Sequence, residues 1–111
     1  MSEAGPSLRI DKWLWFARLA KTRSLAARLC EAGLVSVAGA SAAKPHHPVR
    51  VGDRVSVAQG RARRRLVVAA LGQRRGPAAE ARLLYAEPEP PLPLERIDPA
   101  WQPLLDEENW A

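Results

Sequence analysis

The first half of the sequence concentrates cationic side chains that are suited to holding phosphate groups. Lys12, Trp15 and Arg18 recur at three-residue spacing, so on a helix they share one face. Thr22 and Arg23 stand where a second helix would begin, and free backbone N–H groups there attract a phosphate. Guanidinium groups bind phosphate oxygens two at a time and stack on bases. The chemistry that these residues favour is therefore recognition of a nucleic-acid backbone.

The residues that could serve catalysis or hold a metal are few. His46 and His47 are adjacent in a Pro-flanked loop, with no Cys, Asp or Glu nearby at metal-ligand spacing. Cys30, the single cysteine, lies beside an apolar helical face and is typical of an inert packing residue. The basic part of the sequence has no Gly-rich phosphate loop and no paired carboxylates. We therefore expect no enzyme activity, no metal and no cofactor.

Two amphipathic helical patterns must position the cationic residues. In the first pattern the apolar residues at helical spacing are Ile10, Trp13, Leu14 and Ala17. In the second pattern they are Leu25, Leu29 and Ala32. Thr22 is the predicted N-cap of the second helix, and Gly33 is predicted to end it. Trp13 takes the inward face of the first helix. Two positions are then open to Trp15, which either packs in the core as well or is exposed and stacks on an unpaired base.

Alternation with a period of two predicts a small sheet after these helices. Strand-like patterns are predicted at residues 34–37, around the Gly52-Asp53 turn and at residues 66–71. The basic run Arg61, Arg63, Arg64 and Arg65 is expected at the turn before the last strand. Pro77 is predicted to begin a single helical turn. The sequence therefore predicts an α+β fold with two or three short helices packed on a small, mostly antiparallel sheet.

Charge is divided unevenly along the chain. Residues 1–86 contain sixteen Lys or Arg against five Asp or Glu, a formal charge of +11, whereas residues 87–111 contain one Arg against seven acids, a charge of −6. A basic body favours a polyanionic partner, although an Arg-rich surface also keeps proteins soluble. Prolines and acids predict a flexible C-terminal tail. That tail either rests on the basic body through Trp101 or Trp110 or is solvated.

Residues 9–57 resemble the RNA-binding domain named after ribosomal protein S-four, which is also called the alpha-L motif. The residues that match are Arg9-Ile10-Asp11-Lys12, Thr22-Arg23, the run from Leu29 to Gly39, Lys44-Pro45 and Gly52-Asp53. One departure is Ala38, where the family usually has Asn before the turn glycine. This predicts a hairpin turn of a different type. Asp11 is expected to cap the first helix or to orient a neighbouring arginine.

Residues 73–85 resemble a segment of the bacterial heat-shock protein fifteen family, which are small ribosome-associated proteins with the same domain. The Gln-Arg-Arg element, the Ala-rich turn and the Leu-Leu-Tyr ending match in order. Trp13 and Trp15 are similar to that family as well, so the resemblance covers about residues 8–87. The tail of that family is typically long, helical and basic. The short acidic tail of this chain departs from it.

The resemblance implies non-catalytic binding of structured ribosomal RNA, on free large ribosomal subunits that carry a stalled tRNA-linked nascent chain, and recycling of those subunits under heat shock and other stress. Binding of tRNA and weak binding of DNA are further expectations. Carried over by position, the expected RNA contacts are Arg9, Lys12, Arg18, Lys21, Thr22, Arg23, Arg28 and Lys44. Trp15 is added to them as the residue that would stack on a base. Two separate basic clusters, Arg61 to Arg65 and Arg74-Arg75, either extend this surface or are solvated.

Three alternatives to this function stay open. The chain could be a general RNA-binding or DNA-binding module, or an accessory subunit that delivers RNA to a modifying enzyme. It could also be an interaction module whose acidic tail recruits a protein. The single cysteine and the absence of a signal-like or membrane-spanning run predict a cytoplasmic protein, which we expect to be a monomer. The predicted parts are a mobile leader (1–7), an RNA-binding domain (8–87, with its core at 9–57 and an extension at 58–87) and the acidic tail (88–111).

Overall fold

The computed structural model describes residues 5–42 and 44–106, and their architecture is α+β, as the sequence predicts. The elements of the first half are β1 (Leu8–Arg9), α1 (Ile10–Phe16), α2 (Arg23–Glu31), β2 (Val35–Val37), β3 (Ala40–Ser41) and β4 (Pro48–Val49). Those of the second half are β5 (Arg54–Gln59), β6 (Ala62–Val68), α3 (Ala78–Ala81), β7 (Tyr85–Ala86), β8 (Leu92–Pro93) and α4 (Gln102–Leu105). Turns of 3-10 helix occupy Arg82–Leu84 and Pro99–Trp101. Among the described helices, none has the length and apolar character needed to cross a membrane.

The main sheet is antiparallel, with the strand order β3-β2-β5-β6-β7, and β8 pairs with β6 as well. Val57 of β5 lies opposite Val35 of β2 on one side and opposite Arg64 of β6 on the other. Strands β1 and β4 form a separate pair through Leu8 and Val49. Alternate side chains of β5 and β6 are buried in one cluster with the helices, so the sheet supports α1 and α2 from one face.

The core is built around Trp13, which is fully buried as the sequence predicts. Its indole Nε1 donates a hydrogen bond of 3.0 Å to the carbonyl oxygen of Ala70. This bond ties the first helix to the segment that follows β6, across 57 residues of chain. The largest side chains buried with it are Ile10, Leu14, Leu19, Leu34 and Leu66.

The predicted ends of the second helix are confirmed. Thr22 is the N-cap of α2, and its Oγ1 accepts a hydrogen bond of 3.0 Å from the backbone N–H of Leu25. Gly33 follows the C-cap with a positive φ of 79°. The prediction that the Ala38-Gly39 turn differs from the usual type is wrong. Both residues have positive φ (53° and 84°), as a type I′ hairpin turn requires, because the two-residue loop between paired strands β2 and β3 imposes that conformation on alanine too.

The third predicted strand begins earlier than the sequence indicates. Strand β6 starts at Ala62 and ends at Val68, so Arg63, Arg64 and Arg65 lie within the strand rather than at the turn before it. The reason is long-range pairing, because β5 continues to Gln59 and is matched residue by residue by β6. The turn between β5 and β6 therefore consists of Gly60 and Arg61.

The tail lies against the body up to Asp106, which differs from the flexible tail that its composition predicts. Leu104 and Leu105 of α4 are buried and belong to the core cluster, and Trp101 packs against it half-buried. Strand β8 pairs with Ala62 and Arg63 at the start of β6. The four α-helices of the described residues thus include one in the tail, beyond the two or three predicted. The predicted role of Trp110 and residues 1–4 of the predicted leader fall outside the described residues.

Candidate nucleic-acid interface

A buried carboxylate joins the beginnings of α1 and α2. Asp11 is only 3% exposed, and its two oxygens accept hydrogen bonds from Arg9 Nε (2.8 Å) and Arg9 Nη2 (3.0 Å). Arg23 Nε of α2 lies 3.6 Å from the same carboxylate. The hydrogen bonds that Arg9 donates to Asp11 raise the pKa of the Arg9 guanidinium. Because both arginine side chains keep more than two-fifths of their surface exposed (45% and 42%), Asp11 holds two cations in a fixed relation while they remain accessible.

The N-terminus of α2 faces the same region. Lys21 and Thr22 are exposed immediately before the helix, and Arg23 is its first residue. The nine-residue helix directs its positive dipole end and its first N–H groups toward these residues. Helix α2 has no acidic residue of its own in that first turn, and Asp11 of α1 is the carboxylate that lies beside it.

The N-terminus of α1, in contrast, is already occupied by protein. The backbone N–H of Ile10 donates to the carbonyl oxygen of His47 (2.8 Å), and that of Asp11 donates to the carbonyl oxygen of Pro45 (3.2 Å). The loop that contains these residues is thereby fastened to the start of α1, and it presents Lys44 as an exposed cation. Only one of the two helix N-termini is therefore available to an anion.

The end of α1 places Arg18 in a left-handed conformation. The N–H of Leu19 bonds to the carbonyl of Leu14 and that of Arg18 to the carbonyl of Trp15, which is the Schellman arrangement that usually has glycine at this position. Arg18 has a φ of 59°, which costs an L-residue roughly 1–2 kcal/mol. Its Nε donates a 2.7 Å hydrogen bond to the carbonyl oxygen of Gly76. A strained backbone thus directs this guanidinium toward the segment between β6 and α3.

Trp15 is half-buried and is partly covered by Arg75. The Arg75 guanidinium carbon lies 5.9 Å from the centre of the indole ring, and Arg75 Nε donates to the carbonyl oxygen of Trp15 (3.1 Å). Burial, and then the nearby charge of Arg18, lowers the pKa of Arg75. Arg74 instead forms an exposed pair with Glu80 through bonds of 3.1 and 2.8 Å. Of the two arginines, therefore, Arg75 joins the surface of the first helix, and stacking of Trp15 on a base stays a prediction.

Two further predicted contacts lie on the helices. The ammonium of Lys12 is 5.6 Å from the centre of the Phe16 ring, so the aromatic face holds it against α1. Arg28 is exposed in the last turn of α2, where a cation also complements the negative end of the helix dipole. We give one name, the helix-pair surface, to the predicted contacts on and around α1 and α2, which are Arg9, Lys12, Trp15, Arg18, Lys21, Thr22, Arg23, Arg28 and Lys44.

The candidates for other chemistry lie elsewhere. Cys30 is fully buried, and this burial raises the pKa of its thiol to about 12, with smaller effects from Asp11 and Glu31. The thiol is therefore protonated at neutral pH and is enclosed by core residues. Within residues 5–42 and 44–106, no three His, Cys, Asp or Glu side chains are grouped as they would be around a metal ion.

Comparison with known proteins identifies the family of this chain. Residues 8–55 match the S4 domain. The chain is 39% identical to the heat shock protein 15 homolog of Haemophilus influenzae over 98 residues, which are 88% of this chain and 73% of that protein. It is 41% identical to the homolog of Aeromonas salmonicida over 91 residues, which are 82% of this chain and 68% of that protein.

This chain belongs to the heat shock protein 15 family. It is also 42% identical to heat shock protein 15 of Escherichia coli over 80 residues, but the match spans only 59% of that protein's length. Among solved structures it is similar to heat shock protein 15 of Vibrio cholerae, with a TM-score of 0.70 and 39% identity over 74% of this chain and 82% of that one. The Vibrio cholerae protein is described as trimeric. The monomer that we expect for this chain stays a prediction.

The structure shows how one of the predicted basic clusters, the run from Arg61 to Arg65, lies relative to α1. Arg64 lines a cavity of about 210 Å³ together with Arg18 and Arg82, and Tyr85 and Gln59 form part of its wall. The cavity brings the end of α1 next to β6, although these residues are far apart in the sequence. The run of arginines at residues 61–65 was the available signal, but the sequence does not reveal which of them face α1.

Proposed function

We propose that this chain binds structured RNA without catalysing a reaction, and that the helix-pair surface is its principal contact. The observation that supports this most directly is the arrangement around Asp11, where one buried carboxylate holds Arg9 and Arg23 beside the free N-terminus of α2. Two fixed guanidinium groups and a helix N-terminus present several donors to the oxygens of a phosphate backbone. Such contacts bind by charge and shape, which suits a folded RNA better than a specific sequence.

The RNA that we propose is ribosomal RNA of the large subunit, in the cytoplasm. Membership of the heat shock protein 15 family supports a role under stress. We propose that the chain binds free large subunits that still carry a tRNA-linked nascent chain and helps to return them to translation. It would occupy an RNA surface that is exposed when the subunits separate, with tRNA as a further contact and weak DNA binding as a consequence of backbone recognition.

Sedimentation of a cell lysate through a sucrose gradient tests the ribosomal part of this proposal. We expect the chain to comigrate with free large subunits, and more of it to do so after heat shock. Substitution Arg23→Gln should shift it to the top of the gradient, because the guanidinium beside Asp11 is lost. Arg96→Gln removes the same charge from the exposed tail and should leave the profile unchanged. A wild-type profile confined to small RNAs or to soluble protein would contradict the ribosomal role and favour a general RNA-binding module.

Salt dependence of binding tests whether phosphates dominate the contact. If about four to eight phosphates are neutralised, the logarithm of affinity for a structured RNA should fall with the logarithm of salt concentration by roughly 0.7–0.9 per phosphate. Arg23→Gln should reduce that slope by about one. Fluorescence anisotropy with a labelled ribosomal RNA fragment, with Arg96→Gln as the charge-matched control, measures both values. An affinity that does not change with salt would show that the contact is not to the backbone.

A further inference from the structure

The β5–β6 hairpin has a cationic face that the helices do not cover. Arg63 and Arg65 alternate along β6 with buried Leu66 and Val68, so they point to the opposite side of the sheet from the core. Arg65 lies opposite Ser56 of β5, and Arg63 Nη1 donates a 3.1 Å hydrogen bond to the hydroxyl oxygen of Ser56. We call this side of the hairpin the outer sheet face.

The acidic tail occupies part of the outer sheet face. Glu89 Oε2 lies 3.4 Å from Arg65 Nη1, and the carbonyl oxygen of Pro90 accepts a 3.0 Å hydrogen bond from Arg65 Nη2. Two residues earlier, Glu87 accepts two bonds of 3.0 and 2.8 Å from the neighbouring Arg64. A carboxylate that accepts two parallel bonds from a guanidinium has the geometry with which arginine also binds phosphate.

The tail does not supply an acceptor for every hydrogen-bond donor of Arg65. Within the part of the chain that the structure describes, the buried Nε of Arg65 has no hydrogen-bond partner. An adjoining cavity of about 200 Å³ is lined by Ser36, Arg54 and Ser56, and by Arg65 and Glu89. A buried N–H without an acceptor costs free energy, so an anion with more oxygens than one carboxylate would bind Arg65 better. The outer sheet face therefore has both unused donors and room for a tetrahedral anion.

The cationic surface also continues from β6 toward the helix-pair surface. Arg64, which holds Glu87, lines the same cavity as Arg18 at the end of α1. Arg64 and Arg65 project to opposite sides of β6, and the tail segment between β7 and β8 contacts both, with Glu87 on Arg64 and Glu89 on Arg65. An extended chain with repeated negative charges could follow the same path from one side of β6 to the other, whereas an isolated anion could not. This continuity favours the backbone of a nucleic acid over other anionic partners.

We propose that the outer sheet face is a second binding surface for an RNA backbone, and that Glu89 occupies the place of a phosphate in the free protein. The proposal rests on the RNA binding proposed above. When RNA binds, its phosphates displace Glu89 from Arg65 and gain the unpaired Nε. Weakly bound RNAs would lose in this competition with the tail, which is covalently attached and so present at high local concentration.

Neutralising the tail carboxylate tests the competition without removing the buried leucines of α4. Glu89→Gln should raise RNA affinity about three- to fivefold at low salt, because an exposed ion pair of this kind contributes up to roughly 1 kcal/mol. The gain should shrink at high salt. Asp106→Asn is the matched control, since it removes the same charge from an exposed position of the tail that does not line a cavity with Arg63 or Arg65. Anisotropy with a structured ribosomal RNA fragment measures both variants against the wild type.

A double variant tests whether Arg65 is the partner of Glu89. In Arg65→Gln the gain from Glu89→Gln should disappear, because the cation that the carboxylate blocks is absent. Equal affinities of the Glu89→Gln and Asp106→Asn variants would overturn the proposal, as would a gain that persists without Arg65. If Arg23→Gln weakens binding in either of those cases, the helix-pair surface remains the RNA site. If neither the wild type nor any variant binds RNA, both proposals are contradicted.

Discussion

Trp13→Ala is expected to lower the free energy of unfolding by about 3–5 kcal/mol, enough to unfold a domain of this size under mild conditions. The ring is fully buried, and its removal would leave a cavity between α1 and the sheet. It would also leave the carbonyl oxygen of Ala70 without the indole N–H that now bonds to it at 3.0 Å. The measurement is chemical denaturation followed by circular dichroism.

Two variants separate the contributions to this loss. Trp13→Phe keeps most of the buried ring and removes the hydrogen bond, so it should cost about 1–3 kcal/mol. Trp15→Ala should cost clearly less than Trp13→Ala, because that ring is half-buried and covered by Arg75. Equal losses at Trp13 and Trp15 would show that both rings are core residues and would remove the argument that Trp15 is available to RNA.

The features that local sequence decides were predicted correctly. The apolar spacing of both helices, the Thr22 cap and the Gly33 terminator depend on residues within one or two turns of each other, so they are readable in the sequence. The α+β class followed from the change between helical and alternating patterns. The predicted contribution of Asp11 to orienting an arginine also depends on a neighbour only two residues away.

The features that were missed are backbone conformations that the residue type does not indicate and contacts between distant segments. Ala38 adopts a positive φ because strands β2 and β3 pair around it, and Arg18 does so at the end of α1, where its side chain bonds to Gly76. Neither residue type indicates such a conformation. The position of Arg63 to Arg65 within β6 follows from pairing with β5, and composition alone cannot show that Leu104 and Leu105 hold an acidic, proline-rich tail against the core.

Asp11→Asn is expected to weaken RNA binding about tenfold although it removes a negative charge from a protein that binds a polyanion. Arg9 and Arg23 are positioned by the two Asp11 oxygens, and an amide offers only one acceptor oxygen and no charge. Both guanidinium groups would then sample many orientations, and fixing them on a phosphate would cost conformational entropy. Because the site is buried, the variant should also lose about 1–3 kcal/mol of stability.

The direction of the change distinguishes orientation from net charge. Glu31→Gln, at the exposed end of α2, removes the same negative charge and should leave RNA affinity equal or slightly higher. Anisotropy titrations at a temperature where circular dichroism shows every variant folded allow the comparison. Arg23→Gln should weaken binding less in the Asp11→Asn background than in the wild type, because the arginine has already lost its fixed position. If Asp11→Asn binds RNA as tightly as Glu31→Gln, Asp11 supports the fold alone, and the arginines beside it bind phosphate without being held in place.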